Sequence, residues 1–193
     1  MGRRTEALLR EALANALVVR FGNPYDEGST HGYVLDIGPR FFLLGLIGED
    51  IRFNGFQCFR LEDVRRLQVP DPYADFIVAA LRKRSQQIRK RPNVDLSSLS
   101  ELLKSANCIF PLVTIHRECA KPDACWIGRV LDVTKSHVLM HEIGPDAFWD
   151  EKPSRYLLNQ ITRVEFGGDY EEALHLVGGK LKRPKKPIRS KKI

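Results

Sequence analysis

The sequence predicts a mainly β fold with flanking helices, an α+β chain in which one small five-stranded unit occurs twice. Three observations carry this. Gly32-Tyr33-Val34-Leu35-Asp36-Ile37 returns as Gly128-Arg129-Val130-Leu131-Asp132-Val133, 96 positions later. Phe59-x-Leu61-x-x-Val64-x-x-Leu67 returns as Tyr156-x-Leu158-x-x-Ile161-x-x-Val164, at a spacing of 97. Short runs rich in Val, Ile, Phe and Tyr are bounded by Gly22-Asn23-Pro24, Gly38-Pro39, Gly144-Pro145 and Gly167-Gly168, which are turn signals.

In chain order, TEALLREALANA reads as an amphipathic helix with Thr5 available as its cap. Leu17 to Phe21 is an extended run and aligns with Val113 to Arg117 at the same spacing of 96. The Gly-x-Val-Leu-Asp strand follows in each copy, then a second apolar run, Phe41 to Ile47 and Val138 to Ile143, then the closing strands. Tyr73, Phe76, Ile77, Ala80, Leu81, Arg84 and Ile88 keep helical spacing, with Pro72 suited to the first turn, so a helix leaves the first copy. Tyr170, Ala173, Leu174 and Val177 repeat the start of that helix, and Asp169 stands where a cap would. Asp95 precedes LSSLSELLKSA, whose Leu96, Leu99, Leu102 and Leu103 share a face. The expected division is a first repeat over residues 1–91, a second over 92–178, joined near Arg91-Pro92-Asn93, and a basic tail over 179–193. Short, closely spaced strands predict that each copy closes into a small barrel and so hides its edges.

Composition narrows the function classes. No run approaches the roughly 18 to 20 apolar residues that span a bilayer. The N-terminal stretch interrupts its apolar residues with Glu6 and Glu11, unlike a secretory signal, so a cytoplasmic protein without membrane attachment is expected. Four cysteines, Cys58, Cys108, Cys119 and Cys125, do not make a disulfide framework and are read as reduced. Net charge is +7, but eight basic residues and no acidic ones lie between Gly179 and Ile193, so the remainder carries about −1. With Pro184, Pro187 and few apolar residues, the tail is expected to be disordered.

The leading helix, the Gly-Tyr-Val-Leu-Asp and Gly-Arg-Val-Leu-Asp steps and the short closing strands, Phe59 to Leu67 and Tyr156 to Phe166, resemble the Sm-like fold of Sm, Lsm and Hfq proteins. The likeness is one of pattern and covers roughly residues 5–78 and 95–177. It implies two five-stranded small barrels from an internal duplication, and RNA as a partner. Ile161 to Leu174 also resembles part of uncharacterised bacterial proteins of this general build. The base-reading positions depart from the family. Uridine-binding members place an Asn shortly after the Asp and an Arg-Gly or Lys-Gly pair in the late turn. Here Asp36 is followed by Ile37-Gly38-Pro39-Arg40, Asp132 by Val133-Thr134-Lys135-Ser136, and the late turns are Glu62-Asp63 and Asn159-Gln160. Imitating a six-membered ring would take three such chains.

Two basic clusters are the candidate binding residues. In the tail, Lys180, Lys182, Arg183, Lys185, Lys186, Arg189, Lys191 and Lys192 can neutralise backbone phosphates without reading sequence. At the end of the first copy stand Arg82, Lys83, Arg84, Arg89, Lys90 and Arg91. A solubilising extension accounts equally for the first cluster, and the preference of cations for a helix C-terminus for the second. No cofactor and no catalytic residue is expected: Asp36 and Asp132 read as turn residues bonding their own backbone, and no Ser elbow, Walker loop or His-Glu-x-x-His occurs. No metal is expected either, because Cys119 and Cys125, near His116, His137 and His141, lack zinc-knuckle spacing. Trp126 and Trp149 occur only in the second copy, and residues 147–153 form its most divergent loop. The expectation is a non-enzymatic module for sequence-tolerant nucleic-acid binding, with RNA favoured and an acidic protein as the other candidate partner; the alternative is a protein-interaction or adaptor module whose tail is a solubilising extension.

Overall fold

The computed structural model describes residues 3–181. Helix α1 (Arg3–Asn15) leads into β1 (Val18–Asn23), β2 (Asp26–Ile37), β3 (Phe41–Ile47), β4 (Phe53–Arg60), a 3-10 turn (Leu61–Asp63), β5 (Arg65–Gln68) and α2 (Ala74–Lys83). The second half repeats this as α3 (Leu99–Ile109), β6 (Val113–His116), β7 (Cys125–Val133), β8 (His137–Glu142), β9 (Ser154–Leu157), a 3-10 turn (Leu158–Gln160), β10 (Arg163–Phe166) and α4 (Asp169–Gly178). The fold is mainly β with four helices among the described residues.

All ten strands belong to one sheet, ordered β5-β1-β2-β3-β4-β10-β6-β7-β8-β9, and every pairing is antiparallel. This corrects the expectation of two closed barrels. The sheet stays open. The ladder of β4 is completed by β10 of the other half, Phe59 opposite Arg163 and Phe56 opposite Phe166. Pairing a β4 edge with another half satisfies its backbone groups as well as closure on itself would.

Register agrees between the halves at single-residue resolution. Gly32 faces Leu46 and Gly128 faces Glu142; both ladders then slip by one residue, between Val34 and Asp36 and between Val130 and Asp132. The repeated Gly-x-Val-Leu-Asp step therefore encodes a β-bulge at Leu35 and at Leu131. The two glycines have one cause: a Cβ on Gly32 would collide with the Gly45 carbonyl, and one on Gly128 with the His141 carbonyl, at equivalent points of the neighbouring strand. In the first strand the repeat is offset from the sequence alignment. Val19 pairs with Gly32 and Val113 with Gly128, so the spacing there is 94 rather than 96. A two-residue slip leaves the same face inward, and apolar periodicity cannot detect it.

The inner face of the first half packs Val19, Phe21, Val34, Phe42, Leu44 and Phe59 under Leu9 and Ala12 of α1. Their counterparts Val113, Ile115, Val130, Val138, Met140 and Tyr156 pack under Leu102, Leu103 and Ala106 of α3. That second cluster also takes in Phe41, Leu43, Phe56 and Cys58 from the opposite face of β3 and β4, so the halves do not seal separate interiors. On the outer face, Ile77 and Leu81 of α2 cover Val18, Tyr33, Ile47 and Phe53. Leu174 of α4 covers Leu112, Ile127 and Ile143.

The helix expected to run to Ile88 ends at Lys83, and Tyr73 and Phe76 on its spacing are exposed. The caps also differ from expectation. Ser98, not Asp95, accepts the Glu101 amide, while Asp95 accepts the Ser97 amide in a local turn. Thr5 lies inside α1, and Asp169 is the first residue of α4 rather than its cap.

Candidate nucleic-acid interface

The chain between α2 and α3 is a strap across the sheet rather than a helix end, and it uses half of the predicted basic cluster for its own attachment. Arg84 donates to the Asp50 and Ile51 carbonyls. Arg89 donates to the Gly167 carbonyl at 3.3 Å and lies 5.9 Å from the centre of the Phe56 ring. Arg91 places two N–H groups on one Asp36 oxygen, at 2.9 and 2.6 Å, and reaches the Val94 carbonyl. Asp36 meanwhile accepts its neighbour's amide, from Ile37. Val94 and Leu96 follow into the joint core. Arg82, Lys83 and Lys90 are exposed. Lys180, beyond the end of α4, is also exposed. Lys182, Arg183, Lys185, Lys186, Arg189, Lys191 and Lys192 lie outside the described residues. Among the described residues, the exposed expected cations are thus Arg82 and Lys83 on α2, Lys90 on the strap, and Lys180 after α4.

Formal charge is polarised in the same way. Residues 1–91 hold 15 Lys and Arg against 11 Asp and Glu, whereas 92–178 hold 8 against 13, and the eight tail cations follow the acidic half directly. Such a dipolar arrangement orients the molecule in the field of a polyanion.

The seam between the halves is polar where it meets solvent. Glu165 of β10 lies 2.7 Å from Nε2 of His116 and 3.2 Å from Nε of Arg163. Arg163 also reaches the buried Glu118, at 3.1 Å. Burial pushes the Glu165 carboxyl up, but the hydrogen bond and charge of His116, then Arg163 and Gln57, outweigh it and hold the carboxyl below its ordinary value. The buried hydroxyl of Thr114 donates to Glu171 of α4 at 2.6 Å. At Gly167-Gly168, a turn signal in the sequence, the halves meet backbone to backbone: a Cβ on Gly55 would come within 2.5 Å of the Gly168 nitrogen. Gly55 and Gly167 both have positive φ, at 69° and 67°. Asn54 and Gly55 were not recognised from sequence as seam residues; a lone glycine inside a strand was the available signal.

Of the cysteine and histidine set, His116 and Cys125 face each other across β6 and β7, and the others lie apart from them. Cys119 donates to the Tyr25 hydroxyl of the first half at 3.1 Å, His137 contacts Ser136 and His141 contacts the Asp150 carbonyl. Among the described residues no three His, Cys, Asp or Glu side chains converge as a metal-binding group. Burial raises the thiol of Cys125, and Glu165 and Glu171 raise it further, which disfavours the thiolate that nucleophilic chemistry requires. Trp126 is half-buried against Tyr156, with the Arg117 guanidinium 5.0 Å from its ring centre. Trp149 is half-buried and donates to the Gly178 carbonyl at 3.3 Å.

Trp149 belongs to a largely apolar groove between the 144–153 loop and the end of α4. Leu131, Phe148, Pro153, Val177 and Leu181 line it, together with the charged residues Asp146, Asp150, Glu151 and Lys180. Phe148 is 74% exposed and Val177 76%. Among the described residues no helix is long and apolar enough to cross a membrane.

Comparison with protein-family models, with curated proteins and with solved structures finds no match to this chain.

Proposed function

We propose that the protein is a non-enzymatic, sequence-tolerant nucleic-acid-binding module, with RNA as the favoured partner, made of two Sm-like units whose open sheets join edge to edge. Support for the Sm-like reading is the shared plan of each half: a leading helix, five strands, a bulge after the glycine of the second strand and a 3-10 turn before the fifth. One observation carries the binding assignment: eight cations without a single carboxylate in the last fifteen residues, on a chain whose remaining charge is close to balanced. Arg82, Lys83 and Lys90 add exposed cations from the first half.

The test is a titration with random-sequence single-stranded RNA at several salt concentrations, for the intact chain and for a chain lacking residues 180–193. Neutralising about four phosphates gives a slope of log K against log salt near −3, and deletion flattens it. Salt-independent binding, or none, by the intact chain removes this reading. A protein-binding adaptor is the second reading, favoured by the apolar groove beside Trp149.

A further inference from the structure

The first half contains a template for what covers the groove of the second. After α2 the chain folds back over the 48–53 loop: Leu81 packs against Phe53, Arg84 donates to the Asp50 and Ile51 carbonyls, and the Gln86 side chain accepts the Phe53 amide at 3.3 Å. Phe53 is left only 5% exposed. The corresponding loop of the second half has the same backbone: Gly144 donates to Phe148 as Gly48 does to Arg52, and Ala147 has positive φ as Ile51 does. Trp149 takes the place of Phe53, and Asp146 that of Asp50.

Carried forward by the 97-residue spacing of the closing strands and helices, Leu81, Arg84 and Gln86 become Gly178, Leu181 and Arg183. Gly178 lays its backbone on the loop, its carbonyl accepting the Trp149 indole N–H, Leu181 lines the groove, and Arg183 is among the residues that follow. The strap of the first half therefore has its sequence counterpart in residues 178–183, where the basic tail begins.

We propose that residues 182–188 of the C-terminal tail occupy this groove, as the post-helical strap occupies the equivalent loop of the first half. The chemistry is complementary. Three carboxylates, Asp146, Asp150 and Glu151, line the groove against one cation, Lys180, and the sequence after Leu181 supplies Lys182, Arg183, Lys185 and Lys186 with Ile188 as an apolar residue. Reach is ample: seven residues extend about 23 Å, and the segment starts at Leu181, inside the groove.

Amide spectra of the 15N-labelled intact chain and of a chain ending at residue 181 test this. The expected result is a shift of the Phe148, Trp149 and Asp150 amides, which are remote in sequence from the truncation. The intact chain carrying Asp146→Asn, Asp150→Asn and Glu151→Gln should shift Phe148 and Trp149 toward the truncated positions. Superimposable Phe148, Trp149 and Asp150 amides in the intact and truncated chains overturn the proposal. Random-sequence RNA added to the intact chain separates this from the binding function: groove shifts on truncation without RNA binding leave the docked tail and remove the function, and RNA binding without groove shifts does the reverse.

Discussion

Asn54 of β4 accepts a hydrogen bond from the backbone N–H of Asp169, the first residue of α4, at 2.9 Å. A side chain of the first half thus satisfies one of the orphan amides at the start of a helix in the second, where no residue of α4's own N-terminus does so. Replacing Asn54 by Ala leaves that amide without its acceptor at the seam. The variant should lose about 1 kcal/mol, read as a lower urea midpoint with an unchanged slope. An unchanged midpoint would mean that the contact is only a neighbourly one.

Gly128 tests the reading of the repeated glycines as steric necessities. Its missing Cβ is what lets the His141 and Glu142 backbone approach. Gly128→Ala must displace backbone rather than a flexible side chain, so a destabilisation of about 1 to 3 kcal/mol is expected in chemical denaturation. Gly179→Ala is the contrasting case. No heavy atom lies within 4 Å of its added Cβ, and its cost is confined to the positive φ of 66°. If Gly128→Ala is neutral, the two glycines are coincidental.

Glu165 gives the seam a pH dependence of defined sign. Its carboxyl is held below the ordinary glutamate value, so it stabilises the fold above the unfolded-state pKa of about 4.3 and loses that contribution as pH falls through the lower folded value. Comparing unfolding midpoints of the wild type and Glu165→Gln should show a gap at neutral pH that narrows below about pH 4. A gap of constant size between pH 7 and pH 3 would show that charge at this position is irrelevant.

The outer edges of the sheet differ from the inner seam in ways that oppose further pairing. At the seam Phe59, Cys58, Gln57 and Phe56 meet Arg163, Val164, Glu165 and Phe166. Moved by 97 positions, the free edges would set Tyr156, Arg155, Ser154 and Pro153 against Arg66, Leu67, Gln68 and Val69. Pro153 has no N–H to offer, Arg66 has positive φ, and Arg155 adds a charge to a short strand. Sedimentation across the micromolar range should therefore find a monomer. Pro153→Val combined with Arg155→Val should introduce concentration-dependent association. Association of the wild type through β5 and β9 would contradict the argument.

Much of this architecture could be read from residue patterns. The Gly-x-Val-Leu-Asp repeat marked two strands correctly, and the shift from 96 to 97 located the closing strands, because bulge, turn and 3-10 segment recur at fixed offsets. A clue to the merged sheet was also present. Phe41 to Ile47 is a nearly unbroken apolar run of seven residues, as expected of a strand buried on both faces, whereas the matching run of β8 is shorter and flanked by His137, His141 and Glu142. What could not be read was partnership. Arg84, Arg89 and Arg91 look like binding cations in a string of letters, and only the fold shows that Asp50, Gly167 and Asp36 occupy them. Likewise, nothing local in Asn54-Gly55 announces a contact with residues 167–169, which are more than one hundred positions away.

A single cooperative unit across the β4–β10 ladder is the claim on which the rest depends, and the chain carries one natural probe on each side. Trp126 and Trp149 both report on the second half. Cys58, on β4 of the first half but fully buried in the joint core, and driven far above the ordinary thiol range by burial and then by Asp36, stays unreactive until that core opens. In a chain with Cys108, Cys119 and Cys125 replaced by Ser, urea unfolding should be followed at once by tryptophan emission and by pulsed alkylation of Cys58. One midpoint shared by both probes is the predicted result. Two transitions, with Cys58 exposed while the tryptophans remain native or the reverse, would contradict the account.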